Sequence, residues 1–177
     1  MADVVVKDKV FTEFISKNEM NTVVTSLAKK VEEQFKDKSP IFIVMLNGAF
    51  VFASDFLRAL EQPYETLFVR YSSYSGMQTT GNVVTSAIPD VVKGRNVVIL
   101  EDIVDSGLTM EVFKKNLTRM QPESITLVAL LSKPSARKVD VKIDYIGKEI
   151  EDKFVVGYGL DYDGFGRNLP AIYVLKE

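Results

Sequence analysis

The chain has 177 residues, 46% of them apolar and 26% charged, enough for one globular domain around a single core and far from the composition of a disordered or fibrous chain. Its longest unbroken apolar run, Ile41–Leu46, is much shorter than the roughly 18 residues a membrane helix needs, and a net charge of −2 argues against a broad nucleic-acid surface. With no Cys and no His, disulfides, thiolate nucleophiles, Ser-His-Asp catalysis and Cys/His zinc sites are excluded. At the start, Asp3 stands where a secretory signal carries basic residues, and the apolar stretch Val4–Val6 is too short for one; a cytoplasmic chain with no membrane partner is expected.

Ser16 and Glu19 have capping-box spacing, and Met20, Val23, Val24, Leu27, Val31 and Phe35 recur at helical spacing, which predicts an amphipathic helix from about Lys17 to about Asp37. After Pro40, Ile41–Leu46 is apolar on both faces, as in a central parallel strand covered by helices. Asn47-Gly48 turns the chain, and Phe50–Leu60 reads as a second helix, stopped before Pro63. A strand follows over Thr66–Tyr71, then an aperiodic, polar stretch over Ser72–Asn82 that reads as a mobile loop. Asn96–Leu100 and Ile125–Leu131 are further buried strands, separated by a helix from Leu108. Short strands are expected at Tyr145-Ile146, Phe154–Tyr158 and Ala171–Leu175. The order implies an α/β fold, a parallel sheet with right-handed crossovers.

Chemistry concentrates in Val97–Thr109. A buried strand there delivers Glu101, Asp102 and Asp105 at its C-terminal end, where open α/β sheets place ligands. Mutually repelling acids need a cation or hydroxyl donors, so Glu101 and Asp102 suit Mg²⁺ or a sugar diol. Asp105-Ser106-Gly107-Leu108-Thr109 then enters a helix whose first amides are free to wrap a phosphate. The plainer alternative is that Asp105 or Ser106 caps the helix while the other acids face solvent.

This segment resembles the phosphoribosyl pyrophosphate (PRPP) motif of type I phosphoribosyltransferases: apolar strand, acid pair, apolar pair, Asp, Ser or Thr, Gly, one residue, Thr. Leu46-Asn47-Gly48, Ser73-Tyr74, Leu131-Ser132-Lys133 and Asp152–Tyr162 with Arg167 extend the likeness to the 6-oxopurine branch, the hypoxanthine-guanine phosphoribosyltransferases. The resemblance implies a single domain over residues 1–177, with a parallel-sheet core over about 20–135 flanked by helices. A small hood would come mainly from about 136–177, with N-terminal residues. It further implies transfer of the phosphoribosyl group from PRPP to hypoxanthine, and also guanine, giving IMP or GMP and pyrophosphate in purine salvage. Mg²⁺ would be the cofactor, and a homodimer or homotetramer the assembly.

By position, the resemblance gives Glu101 and Asp102 to the ribose diol and metal, and Asp105 the role of general base near N7 of the purine. Asp105, Ser106, Gly107, Leu108 and Thr109 would hold the 5′-phosphate. Lys133, Phe154, Val155 and Asp161 would surround the base, with Asp161 also at a second Mg²⁺. Leu46, Asn47, Gly48, Ser73, Tyr74 and Arg167 would meet pyrophosphate. Asn47 departs from members that carry Lys there, which shifts weight to backbone amides and Arg167. A cis Leu46–Asn47 peptide is also implied. Leu160 and Tyr162 flank Asp161, so its charge calls for a cation or amide partner. Two other readings compete. A PRPP-sensing nucleic-acid regulator on the same fold would need a basic face, and a Mg²⁺ phosphohydrolase would release inorganic phosphate instead of pyrophosphate.

Overall fold

The computed structural model describes residues 3–72, 83–84 and 88–176. Two sheets divide the chain. The larger has the order β5-β4-β3-β6-β7-β8, built from β3 (Ile41–Leu46), β4 (Glu65–Ser72), β5 (Val83–Val84), β6 (Asn96–Val104), β7 (Ser124–Ser132) and β8 (Tyr145–Glu149). Every pairing is parallel except β4 with β5. The expected central strand Ile41–Leu46 is matched residue for residue and is buried from Ile41 to Met45.

Helix α1 (Lys17–Phe35) starts where the capping box predicts, with the Ser16 hydroxyl accepting from the Glu19 amide at 3.3 Å. It buries Met20, Val24, Leu27, Val31 and Phe35 and packs against β8 and α2 (Phe50–Arg58). Helix α3 is Leu108–Arg119, burying Met110, Phe113 and Leu117. From β3 the chain crosses through α2 to β4 on one side; from β6 it crosses through α3 to β7 on the other. Right-handed crossovers running in opposite directions put α2 and α3 on opposite faces, and the switch in direction falls between β3 and β6. A crevice opens there at the strands' C-terminal ends.

The smaller sheet is antiparallel, in the order β1-β2-β10-β9: β1 (Asp3–Val6), β2 (Lys9–Ile15), β9 (Val155–Val156) and β10 (Ile172–Leu175). It encloses its own core of Val6, Phe11, Val156, Ala171 and Tyr173. The N-terminal hairpin supplies half of its strands, more than the sequence suggested. β2 buries Phe11 and Ile15 on one face while Val10 and Phe14 on the other stay exposed, so apolar residues stand on both faces and the sequence lacks the apolar–polar alternation of a half-buried strand. β8, expected in the hood, instead pairs in parallel with β7, and the large sheet therefore continues to Glu149. Among the described residues no helix is long and apolar enough to cross a membrane.

Candidate active site

A cavity of about 520 Å³ lies at the switch point, within the usual size of a small-molecule site. Core strands form one wall, through Met45–Gly48 at the end of β3 and the turn that follows, Glu101–Ile103, Asp105 and Thr109 around the end of β6, and Lys133 after β7. The hood side supplies Phe154, Val155, Leu160, Asp161 and Arg167. Met45, Ile103 and Leu160 are lining residues that were given no site role by the sequence; their apolar side chains carried no signal beyond burial. Ser106, Gly107 and Leu108 do not line the cavity but form the turn into α3 beside it. Ser73 and Tyr74 lie outside the described residues, as does the expected mobile loop beyond Ser72.

The two acids at the end of β6 do not face solvent. Asp102 is buried and accepts from the Ile103 amide at 2.9 Å, and one carboxylate oxygen of Glu101 is buried without a hydrogen-bond partner. Burial pushes Asp102 up to about 6, offset in part by its amide donors and the nearby Arg167. Glu101 is raised as well, by burial and by the charge of Asp102. The helix-cap alternative holds in part: the N-cap of α3 is Gly107, in the left-handed region at φ 82°, and the Ser106 hydroxyl accepts from the first helix amide, that of Leu108, at 3.4 Å.

Gly48 explains how the turn after β3 comes so close to these acids. A Cβ there would sit 1.8 Å from Asp102 Oδ2, so only glycine leaves room for the carboxylate. The Leu46–Asn47 peptide before it is cis, as the resemblance implied. Asn47, exposed at this turn, accepts a 2.9 Å hydrogen bond from Arg70 on β4.

Lys133 is 6% exposed, with its ammonium 3.3 Å from Asp152 and 3.8 Å from Asp105. A lysine this buried, aimed into a cavity between carboxylates, is not a solvated surface side chain. Phe154, by contrast, is 45% exposed and presents its ring to the cavity, braced by Phe11 at 6.1 Å and Tyr162 at 5.8 Å. Asp161 finds both kinds of partner its surroundings required, the Arg167 guanidinium at 2.6 Å and the Gly164 amide at 2.7 Å. Arg167 also donates to the Gly159 carbonyl at 2.7 Å. Among the described residues no three acids cluster as metal ligands, so Glu101, Asp102 and Asp161 do not form a protein-only metal cage.

The phosphoribosyl transferase domain model matches residues 13–163. The chain is 41% identical to the hypoxanthine-guanine phosphoribosyltransferase of Bacillus subtilis (strain 168) over 165 residues, 92% of this chain and 91% of that protein. It is 39% identical to the hypoxanthine-guanine-xanthine phosphoribosyltransferase of Tritrichomonas foetus over 156 residues, covering 87% of this chain and 85% of that one. The crystal structure of a hypoxanthine-guanine phosphoribosyltransferase from Bacillus anthracis superposes with a TM-score of 0.87 at 34% identity, over 97% of this chain and all of that one. With the switch-point cavity, the acid pair and the hood in place, these likenesses make the chain a member of the phosphoribosyltransferase family, with the type I fold, in the branch of the hypoxanthine(-guanine) phosphoribosyltransferases.

Proposed function

We propose that the protein transfers the phosphoribosyl group of PRPP to N9 of hypoxanthine, and of guanine, releasing pyrophosphate and forming IMP or GMP for purine salvage. The observation that carries this reading is Lys133, buried with its ammonium in the same cavity as the acid pair and Phe154. An ammonium has only donors, so it pairs with the 6-oxo acceptor of hypoxanthine or guanine and is mismatched to the 6-amino donor of adenine. Phe154 offers a stacking face, and the Val155 backbone borders the base edge.

The remaining roles are those the resemblance implies, and the chemistry of the reaction fits them. Displacing pyrophosphate from the ribose develops oxocarbenium character at C1, and the reaction is favoured by positioning the purine nitrogen against that carbon and screening the leaving group. Glu101 and Asp102 accept from the ribose hydroxyls. Asp105, at the cavity wall, takes the purine proton as general base. The Asp105–Thr109 turn and the N-terminus of α3 receive the 5′-phosphate. Arg167, the Leu46–Gly48 turn, Ser73 and Tyr74 serve the pyrophosphate end.

An all-oxygen carboxylate set with an unpartnered Glu101 oxygen suits Mg²⁺, which is typically held by one or two carboxylates with water and substrate phosphates. Glu101 and Asp102 would hold it beside the ribose and Asp161 beside pyrophosphate; when bound, the metal neutralises charge on the leaving group. Exposed aromatics such as Phe50 and Phe68 support self-association as a dimer or tetramer, and a cytoplasmic location fits soluble substrates. The decisive experiment offers hypoxanthine, guanine, xanthine and adenine with PRPP and Mg²⁺ and follows nucleotide formation. Adenine used within tenfold of hypoxanthine would overturn the reading.

A further inference from the structure

Arg137 does not line the cavity; it packs against the turn between β6 and α3 from outside it. Its guanidinium donates to the Ser132 hydroxyl at the end of β7 at 2.9 Å. It also reaches the carbonyls of Val104 and Val141 at 3.5 Å. The same Val104 carbonyl accepts from the Lys133 amide at 3.0 Å, and the carbonyl two residues on, that of Ser106, accepts from the amides of Lys138 at 2.9 Å and Val139 at 3.4 Å. A Cβ on Gly107 would stand 3.0 Å from the Arg137 side chain and 3.2 Å from Val139, so segment and turn are in direct contact.

Two consequences follow. First, the Ser106 carbonyl is pulled toward the 137–139 segment, and in a trans peptide the N–H of Gly107 must point the opposite way. The Gly107 donor is thereby aimed before any ligand arrives. Second, the positive charge of Arg137 has no carboxylate within ion-pair distance among the described residues. Its acceptors are two carbonyls and a hydroxyl, and its Nε is buried without a partner. A half-buried cation without a counter-ion gains from an anion brought nearby, and it favours a doubly charged one most.

We propose that Arg137 is a positioning residue for the phosphate monoester of the substrate: it fixes the Val104–Gly107 turn from behind and leaves an uncompensated positive charge there for a phosphate dianion. The inference rests on the proposed phosphoribosyl transfer and concerns one end of that substrate only. Its test compares IMP with inosine, which lacks the phosphate, by calorimetric titration of the parent protein and of Arg137→Gln and Arg137→Lys. Arg137→Gln should weaken IMP about tenfold or more and leave inosine within twofold. In turnover the KM for PRPP should rise while that for hypoxanthine and kcat stay close to the parent's. Arg137→Lys, which keeps the charge but not the fork of donors, should fall between. Equal effects on IMP and inosine, or none on either, would overturn the proposal. Should Arg137→Gln fail to fold, Arg137→Lys alone decides, because a purely structural role would move both ligands together. A parent protein that makes no IMP from hypoxanthine and PRPP would instead overturn the functional reading.

Discussion

Replacing Gly48 by Ala tests whether the acid pair is held rigidly against the turn after β3. The new methyl would lie 1.8 Å from Asp102 Oδ2, 2.6 Å from its Cγ and 3.0 Å from Oδ1, so the whole carboxylate is in the way. To reach ordinary van der Waals contact it must retreat by roughly 1.5 Å or more. Asp102 cannot do so freely, since it is buried and anchored to the Ile103 amide at 2.9 Å. Overpacking typically costs about 1–3 kcal/mol, and loss of a hydrogen bond to a charged group adds about 1.5–3 kcal/mol when it breaks fully. A net destabilisation of about 2–4 kcal/mol corresponds, in a domain of this size, to a fall in Tm of roughly 5–15 °C. If Asp102 holds the ribose, a displacement of about 1 Å should also lower kcat/KM for PRPP on the order of 10²-fold. Calorimetry and steady-state kinetics of the variant measure both. A Tm within about 2 °C of the parent with unchanged kcat/KM would mean that the carboxylate moves aside at little cost, and the close approach would then explain nothing.

Asp105→Asn keeps the shape and loses the proton acceptor; turnover with hypoxanthine should fall about 10²–10⁴-fold with the KM for PRPP within a few-fold of the parent, and near-full turnover would reduce Asp105 to a structural residue. Lys133→Ala should raise the KM for hypoxanthine strongly, leave PRPP binding nearly unchanged and narrow the gap to adenine mainly by loss of the correct substrate, as a base panel would read out. Burial raises Asp102 to about 6 and raises Glu101 too, so the folded state binds extra protons and stability is lost as pH rises from the ordinary carboxylate range through about 6. Glu101→Gln removes one of the two charges, so unliganded Tm should rise more at about pH 8 than at about pH 5 while activity drops; an equal gain at both values would separate the acids' titration from stability.

Helices and buried strands were legible because each carries a pattern tied to its environment. α1 has a cap and a helical stripe, and β3, β6 and β7 are continuous apolar runs buried on both faces. The acid pair could be read because two charges ending such a run have nowhere to go except into a site. The hood was legible only in its C-terminal part. β1 and β2 bury few side chains, and partners more than 150 residues distant, Ile172–Leu175, decide that Lys9–Ile15 is a strand. Contacts across the site were equally out of reach. Lys133 and Asp152 stand 19 residues apart, and Asp161 is nearer in sequence to Arg167, yet both salt bridges follow from the fold and not from the spacing.

The position of the hood over the core poses a separate physical problem, because the cavity takes its walls from both. Five buried residues form the hood's own core, while Ile15, Val155, Tyr158, Leu160 and Ile172 join the core of the larger sheet; non-directional packing by itself does not hold two walls to the fraction of an ångström that a binding site demands. Directional polar contacts add the precision that apolar packing lacks. Tyr158, 3% exposed and held at φ 52° between two glycines, donates its hydroxyl to Asp55 of α2 at 2.6 Å, across 103 residues of sequence. Burial and the Asp55 carboxylate both raise the Tyr158 hydroxyl's pKa above its ordinary value, so it stays a donor throughout the neutral range. α2 begins immediately after Leu46-Asn47-Gly48, and Tyr158 lies three residues before Asp161, so this bond ties the turn at one end of the cavity to the Asp161–Arg167 pair at the other. The segment after β9 and helix α2 are thus joined by a charged hydrogen bond whose geometry tolerates little sliding, and the proposed substrate site lies beside both of its anchor points.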